Sequence, residues 1–125
     1  LLEEEPQPGA TSIKLAMRSV LFPAGCVVLI PEARENLDLV VNYMRQHPES
    51  ALELHGHSDS VGSRSVNLQL SRRRAEAVQA YLTDLGIETR RLKIRALGET
   101  HRIASNATQT GRLENSRVEL ILAPH

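Results

Sequence analysis

Aromatic side chains are nearly missing from this chain of 125 residues: Phe22, Tyr43 and Tyr81 are the whole set, with no Trp. The core must therefore be filled by Leu, Val, Ile and Ala, and no row of platforms exists on which nucleic-acid bases would stack. Cysteine is limited to Cys26, which excludes an internal disulfide. A chain this long buries roughly two-thirds of the surface its unfolded form exposes, so neither a disulfide nor a metal is needed to hold one core. Lysine occurs twice against thirteen arginines, and fifteen basic residues face fifteen acidic ones. No surplus of positive charge is left to neutralise a phosphate backbone, which argues against a nucleic-acid partner. No run of about 18 apolar residues occurs, so no segment reads as a membrane-spanning helix.

Chemical motifs are missing as well. There is no HExxH, no Ser-His-Asp arrangement of identifiable geometry, and no general base placed for Cys26. His55 and His57 would share a strand face, but no third ligand follows at a metal-site spacing. The stretch Pro23-Ala24-Gly25-Cys26 lacks the Leu of a lipoprotein cleavage box, and Arg18 interrupts the apolar run before it. Cys26 is read as a small packed residue. The expectation is a domain without catalysis, cofactor or metal.

What is present is a hydrophobic share of 41%, ordinary for a globular protein, arranged with clear periods. Residues 1–12, which carry Glu3-Glu4-Glu5-Pro6 and Pro8-Gly9, are expected to be a linker from an upstream region, and 13–123 one domain. Alternation from Ile13 to about Phe22 predicts a first strand, broken at Pro23-Ala24-Gly25. Pro31 suits a helix start, and Leu37, Val40, Val41 and Met44 give that helix one apolar face ending at His47-Pro48. Leu52 and Leu54 alternate with Glu53 and His55 in a second strand. A second helix begins between Ser63 and Ser71, buries Ala75, Val78, Leu82 and Leu85, and stops at Gly86. Leu92 to Leu97 is a third strand. Residues 98–112 read as a long loop with at most one helical turn. Val118, Leu120 and Leu122 form one face of a fourth strand, with Arg117, Glu119 and Ile121 on the other. The order β-α-β-α-β-β predicts an α+β sandwich, a sheet with its helices packed on one face.

The chemistry concentrates between His57 and Arg74. Asp59 stands just past the end of the second strand, and Arg74 is expected on the first part of the helix that follows. A strand–loop–helix return brings those two regions together, so a carboxylate and a guanidinium would flank one shallow site. An acid and an arginine that do not neutralise each other suit a zwitterion: the acid takes an ammonium, and the guanidinium takes a carboxylate in a fork. The helix N-terminus could assist at the anionic end. Arg72 and Arg73 are read as a solvated face.

These residues belong to a larger pattern. The chain has Gly56-His57-Ser58-Asp59-Ser60-Val61-Gly62, then Asn67-Leu68-Gln69-Leu70-Ser71-Arg72-Arg73-Arg74-Ala75, then Leu97-Gly98-Glu99, then Asn106-Ala107-Thr108-Gln109-Thr110-Gly111-Arg112-Leu113-Glu114-Asn115-Ser116-Arg117-Val118, with Leu21-Phe22 upstream. In order and spacing this resembles the OmpA-like C-terminal, peptidoglycan-associated domain. The resemblance implies an OmpA-like mixed sheet and non-covalent binding of peptidoglycan through the diaminopimelate of its stem peptide. It assigns the ligand's ammonium to Asp59 and its carboxylate to Arg74, with Ser58, Ser60, Gly62 and Asn67 lining the pocket. It implies a cell-envelope, periplasmic setting, associated with the outer membrane of a Gram-negative bacterium, with any membrane anchor outside this chain. The alternative is the same fold serving as a protein–protein module that has lost the ligand.

Four positions depart from the pattern: Ser58 for Thr, Leu97 where many members have Tyr or a similar residue, Ser116 for the first Arg of an Asn-Arg-Arg triplet, and Arg102 where Pro is common. Ser116 and Arg102 are expected to lie away from the Asp59/Arg74 pair. Asn106, Gly111, Arg112, Asn115 and Arg117 are expected to form a structural network ordering the long loop, with Arg117 holding an acid on a neighbouring strand.

Overall fold

The computed structural model describes residues 13–22, 27–101 and 104–123. The expected linker, Cys26 and Arg102 lie outside them. Four strands, β1 (Ile13–Leu21), β2 (Ala51–His57), β3 (Leu92–Gly98) and β4 (Arg117–Ala123), form one sheet in the order β1-β4-β2-β3. β4 is antiparallel to both β1 and β2, while β2 and β3 run parallel, so the sheet is mixed. Parallel neighbours need a crossover, and the long helix between β2 and β3 supplies it.

Helix α1 (Pro31–Gln46) starts with Pro at its first position and buries Ala33, Leu37, Val40, Val41 and Met44. Helix α2 (Arg64–Asp84) is capped by Ser63, whose hydroxyl accepts from the Val66 N–H. Its far end closes as a Schellman motif: Ile87 N–H donates to Leu82 O, Gly86 N–H donates to Thr83 O, and Gly86 takes φ 98°. Among the described residues no helix is long and apolar enough to cross a membrane.

One aliphatic core lies between the helices and the sheet. β2 contributes Leu52 and Leu54, β4 contributes Val118, Leu120 and Leu122, and α2 contributes Ala75, Val78 and Leu82, with Phe22 the one aromatic among the fully buried hydrophobics. The strand alternation read from sequence holds on β2 and β4. Gly56 is where α2 comes closest to β2: a Cβ there would lie 2.0 Å from the Ser71 carbonyl oxygen.

One expectation needs correction here. The stretch after β3 is not loop to residue 112, because a third helix, α3 (Gln109–Asn115), runs straight into β4. Its signal is polar and local: the Thr108 hydroxyl accepts from Gly111 N–H, which an apolar period does not reveal. A single 3-10 turn, Thr89–Arg91, also precedes β3.

Candidate ligand-binding site

Asp59 lies two residues past His57, the last residue of β2, and is half-buried. Its Oδ1 accepts from the Val61 N–H at 2.9 Å, an Asx turn that fixes the carboxylate in its own loop. The loop turns at Gly62, which has φ 95°, a conformation that favours glycine. Ser58 is buried; its N–H donates to Gly98 O and its hydroxyl to Asp59 O, both at 2.9 Å. Ser60 is half-buried in the same loop, between the carboxylate and the exposed Val61.

Arg74 lies in the middle of α2, not in its first turns. Ser63 caps the helix early, so ten residues, a rise of about 15 Å, separate Arg64 from Arg74. The helix N-terminus is therefore not placed to help at the arginine end. The side chain instead reaches back to β2, where Nη1 donates to His57 O at 3.1 Å, two residues before Asp59. The guanidinium carbon stands 5.5 Å from the centre of the Phe22 ring, within cation–π range. Arg74 is 0% exposed, so the site is not shallow at this end. Its long side chain points inward from a helix face that carries Ser71, Ala75 and Val78, all buried.

Ser116 also differs from expectation, since it does touch the site. α3 delivers it to the start of β4, where its Oγ is 3.5 Å from Asp59 Oδ2 and 2.9 Å from Arg112 O. One hydroxyl carries one proton, and the shorter contact takes it. Oδ2 of Asp59 thus keeps its capacity to accept from a ligand.

Asn67 is buried on the first turns of α2, and its amide donates to the Glu99 carboxylate at 3.2 Å. Ser71 Oγ accepts from Gly98 N–H at 3.0 Å. Together these tie α2 to the end of β3. The network after β3 forms as expected: Asn115 pairs with the backbone of Ala104 in both directions and donates to Asn106, and Arg112 donates to Asn106 O. Arg72 and Arg73 are exposed.

Arg117 is the remaining correction. Its acid is Glu119 on the same strand, at 3.3 Å, because both project from the sheet face away from the core. Arg117 also donates to His101 O and Asn115 O, and Glu119 accepts from His57 Nε2 at 3.2 Å. Burial pushes the His57 imidazole down to about 4, Arg117 adds to that, and Glu119 opposes it. Burial works to raise the Glu119 carboxyl, but Arg117 and His57 outweigh it and hold it below its ordinary value. A neutral His57 beside an ionised Glu119 carries its proton on Nε2, and its buried Nδ1 has no hydrogen-bond partner among the described residues. Among the described residues no group of three acids, His or Cys is placed to hold a metal.

Glu99, Glu119, Ser116 and the carbonyl of His57 were not assigned to the site from sequence. Gly98-Glu99 stood in the motif without a role. A backbone carbonyl has no sequence signature at all.

The OmpA family model matches residues 21–116, a span that holds Asp59, Arg74 and the network after β3. The chain belongs to the OmpA family. As an OmpA-family domain it is a binding module without catalysis. It is 33% identical over 106 residues to the probable lipoprotein YiaD of Escherichia coli, covering 85% of this chain and 48% of that protein. It is 36% identical over 94 residues to the peptidoglycan-binding protein ArfA of Mycobacterium tuberculosis, covering 75% of this chain and 29% of that protein. The chain thus spans about half or less of these relatives. Among solved structures, the peptidoglycan-associated lipoprotein of Burkholderia pseudomallei superposes with a TM-score of 0.81 at 27% identity, covering 84% of this chain and 89% of that one.

Proposed function

We propose that this OmpA-family domain binds peptidoglycan non-covalently, through the diaminopimelate of the stem peptide, and so anchors a larger envelope protein in the periplasm. Asp59 takes the ammonium and Arg74 the carboxylate. Ser58, Ser60 and Gly62 shape the loop around the ligand, and Asn67 braces it from α2. The observation that carries this reading is the reach of Arg74 from mid-helix to the carbonyl of His57, two residues before a carboxylate whose Oδ2 has a long, 3.5 Å contact to the Ser116 hydroxyl. Relatives named for peptidoglycan binding support the same ligand class. Because Arg74 is covered, the ligand's carboxylate gains it by replacing contacts it now makes.

That burial also favours a second reading, in which Arg74 is a structural brace and the domain docks another protein. Sedimentation with purified peptidoglycan separates the two. The wild type should co-sediment, while Asp59→Ala and a folded Arg74→Met should stay in the supernatant. A charge-assisted contact of this kind is worth about 2–5 kcal/mol when one partner is removed. Equal retention of all three proteins would favour the second reading.

A further inference from the structure

The hydrogen bond from Ser58 N–H to Gly98 O closes the ladder between β2 and β3, and the residues that follow it are Asp59 and Glu99, both half-buried carboxylates. The ion pairs among the described residues are His55–Glu53, His57–Glu119, Arg90–Glu88 and Arg117–Glu119, so neither of these two acids is in one. Glu99 holds an amide instead: Asn67 Nδ2 donates to its Oε1 at 3.2 Å. A carboxylate can only accept, so this contact settles which end of the Asn67 amide is nitrogen and which is oxygen. The oxygen, Oδ1, lies 3.9 Å from where a Cβ on Gly62 would stand, against the loop that carries Asp59. No group among the described residues donates to it. The buried side-chain polar atom left unpaired among those residues is His57 Nδ1, so Oδ1 of Asn67 is open to the outside although its residue is 2% exposed. The join of α2 to β3 does not need the Asn67–Glu99 pair, because Ser71 Oγ already accepts from Gly98 N–H and Leu68 lies against Gly98.

We propose that Glu99 is a positioning residue for the ligand's ammonium. By holding the nitrogen end of the Asn67 amide, it keeps Oδ1 turned to the loop, where that oxygen and Oδ2 of Asp59 each accept one ammonium N–H. An ammonium carries three donors, and one open carboxylate oxygen does not satisfy them once water is displaced. Glu99 does not touch the ligand; it acts through Asn67. Without it the amide is free to turn over and present its own N–H groups to the ammonium, which repels them. This rests on the binding reading above and deepens it, because it predicts which half of a zwitterion Glu99 governs.

The test is calorimetric titration with two soluble stem peptides, one with diaminopimelate and one with α-aminopimelate, which keeps the distal carboxylate and lacks the distal amine. The wild type should prefer the diaminopimelate peptide. Glu99→Ala should weaken that peptide roughly tenfold, the scale of one hydrogen bond to a charged group, and leave the other unchanged. Glu99→Leu, closer in size and equally unable to accept, takes its place if Glu99→Ala does not fold. Glu99→Gln, whose amide oxygen still accepts from Asn67, should stay within about threefold of wild type for both peptides. Equal weakening of both peptides, or no weakening of either, overturns the positioning role. So does a Glu99→Gln loss as large as that of Glu99→Ala, which would show that Glu99 acts by its charge. A wild type without preference between the peptides would instead overturn the binding reading itself.

Discussion

Burying an imidazole disfavours its cation, a neighbouring guanidinium disfavours it again, and His57 is subject to both. Its value of about 4 lies below the ordinary 6.5. Between those values the unfolded chain binds a proton that the folded chain refuses. The contribution of His57 to stability is therefore whole above pH 6.5 and drains away as pH falls toward about 4. Glu119 acts in the same direction: its depressed carboxyl contributes above its ordinary 4.5 and loses that contribution as pH falls through its folded value. An NMR titration of His57 should thus show no protonation between pH 8 and pH 6, both ordinary working values. Urea midpoints should fall steadily on acidification below pH 6.5. A His57 midpoint near 6.5 would show that the ring is not buried beside Arg117 as described.

Among the elements, α2 matters most because it carries Arg74 and lies against β2 at Gly56. A methyl group at Gly56 would meet backbone, the Ser71 carbonyl at 2.0 Å, and cannot be relieved by turning a side chain. Gly56→Ala should cost at least about 2 kcal/mol and push the helix, with Arg74, away from His57. Denaturant melts measure the first effect and loss of peptidoglycan sedimentation the second. Ser71→Ala leaves the Gly98 N–H without its acceptor, at a cost of about 1–3 kcal/mol. A melt within a few tenths of a kcal/mol of wild type would show that this bond does not join α2 to β3. The stripe Ala75, Val78 and Leu82 made α2 legible from periodicity, and Gly86 marked its end. Its start was legible only as a range, because residues 64–70 are mostly polar or exposed and carry no period. That is why Arg74 was expected near the helix start rather than at its middle. α3 was missed for the same reason: its seven residues are held by caps and backbone pairing, not by an apolar face.

At the scale of the whole molecule, the packing of the long helices on one face of the sheet followed from the order of the elements, and the mixed sheet from the family resemblance. The positions of Asp59 and Arg74 at one end of β2 followed from motif order. The depth of Arg74 did not, because burial of a charged side chain depends on what the sheet, Phe22 and the loop place around it. A site built from the exit of one strand, the middle of one helix and the start of another strand couples ligand binding to the stability of the whole domain. A ligand at about 100 times its Kd should add about 2.7 kcal/mol of stability, visible as a rise of several degrees in Tm. Asp59→Asn should abolish that rise while leaving the unliganded melt within about 0.5 kcal/mol of wild type. The most direct test of the zwitterion site is calorimetric titration of the diaminopimelate stem peptide into wild type and Asp59→Asn. Binding by the wild type with at least roughly thirty-fold weaker binding by the variant is the expected result. Affinities within about twofold of each other, under 0.5 kcal/mol, would contradict the assignment of the ligand's ammonium to Asp59.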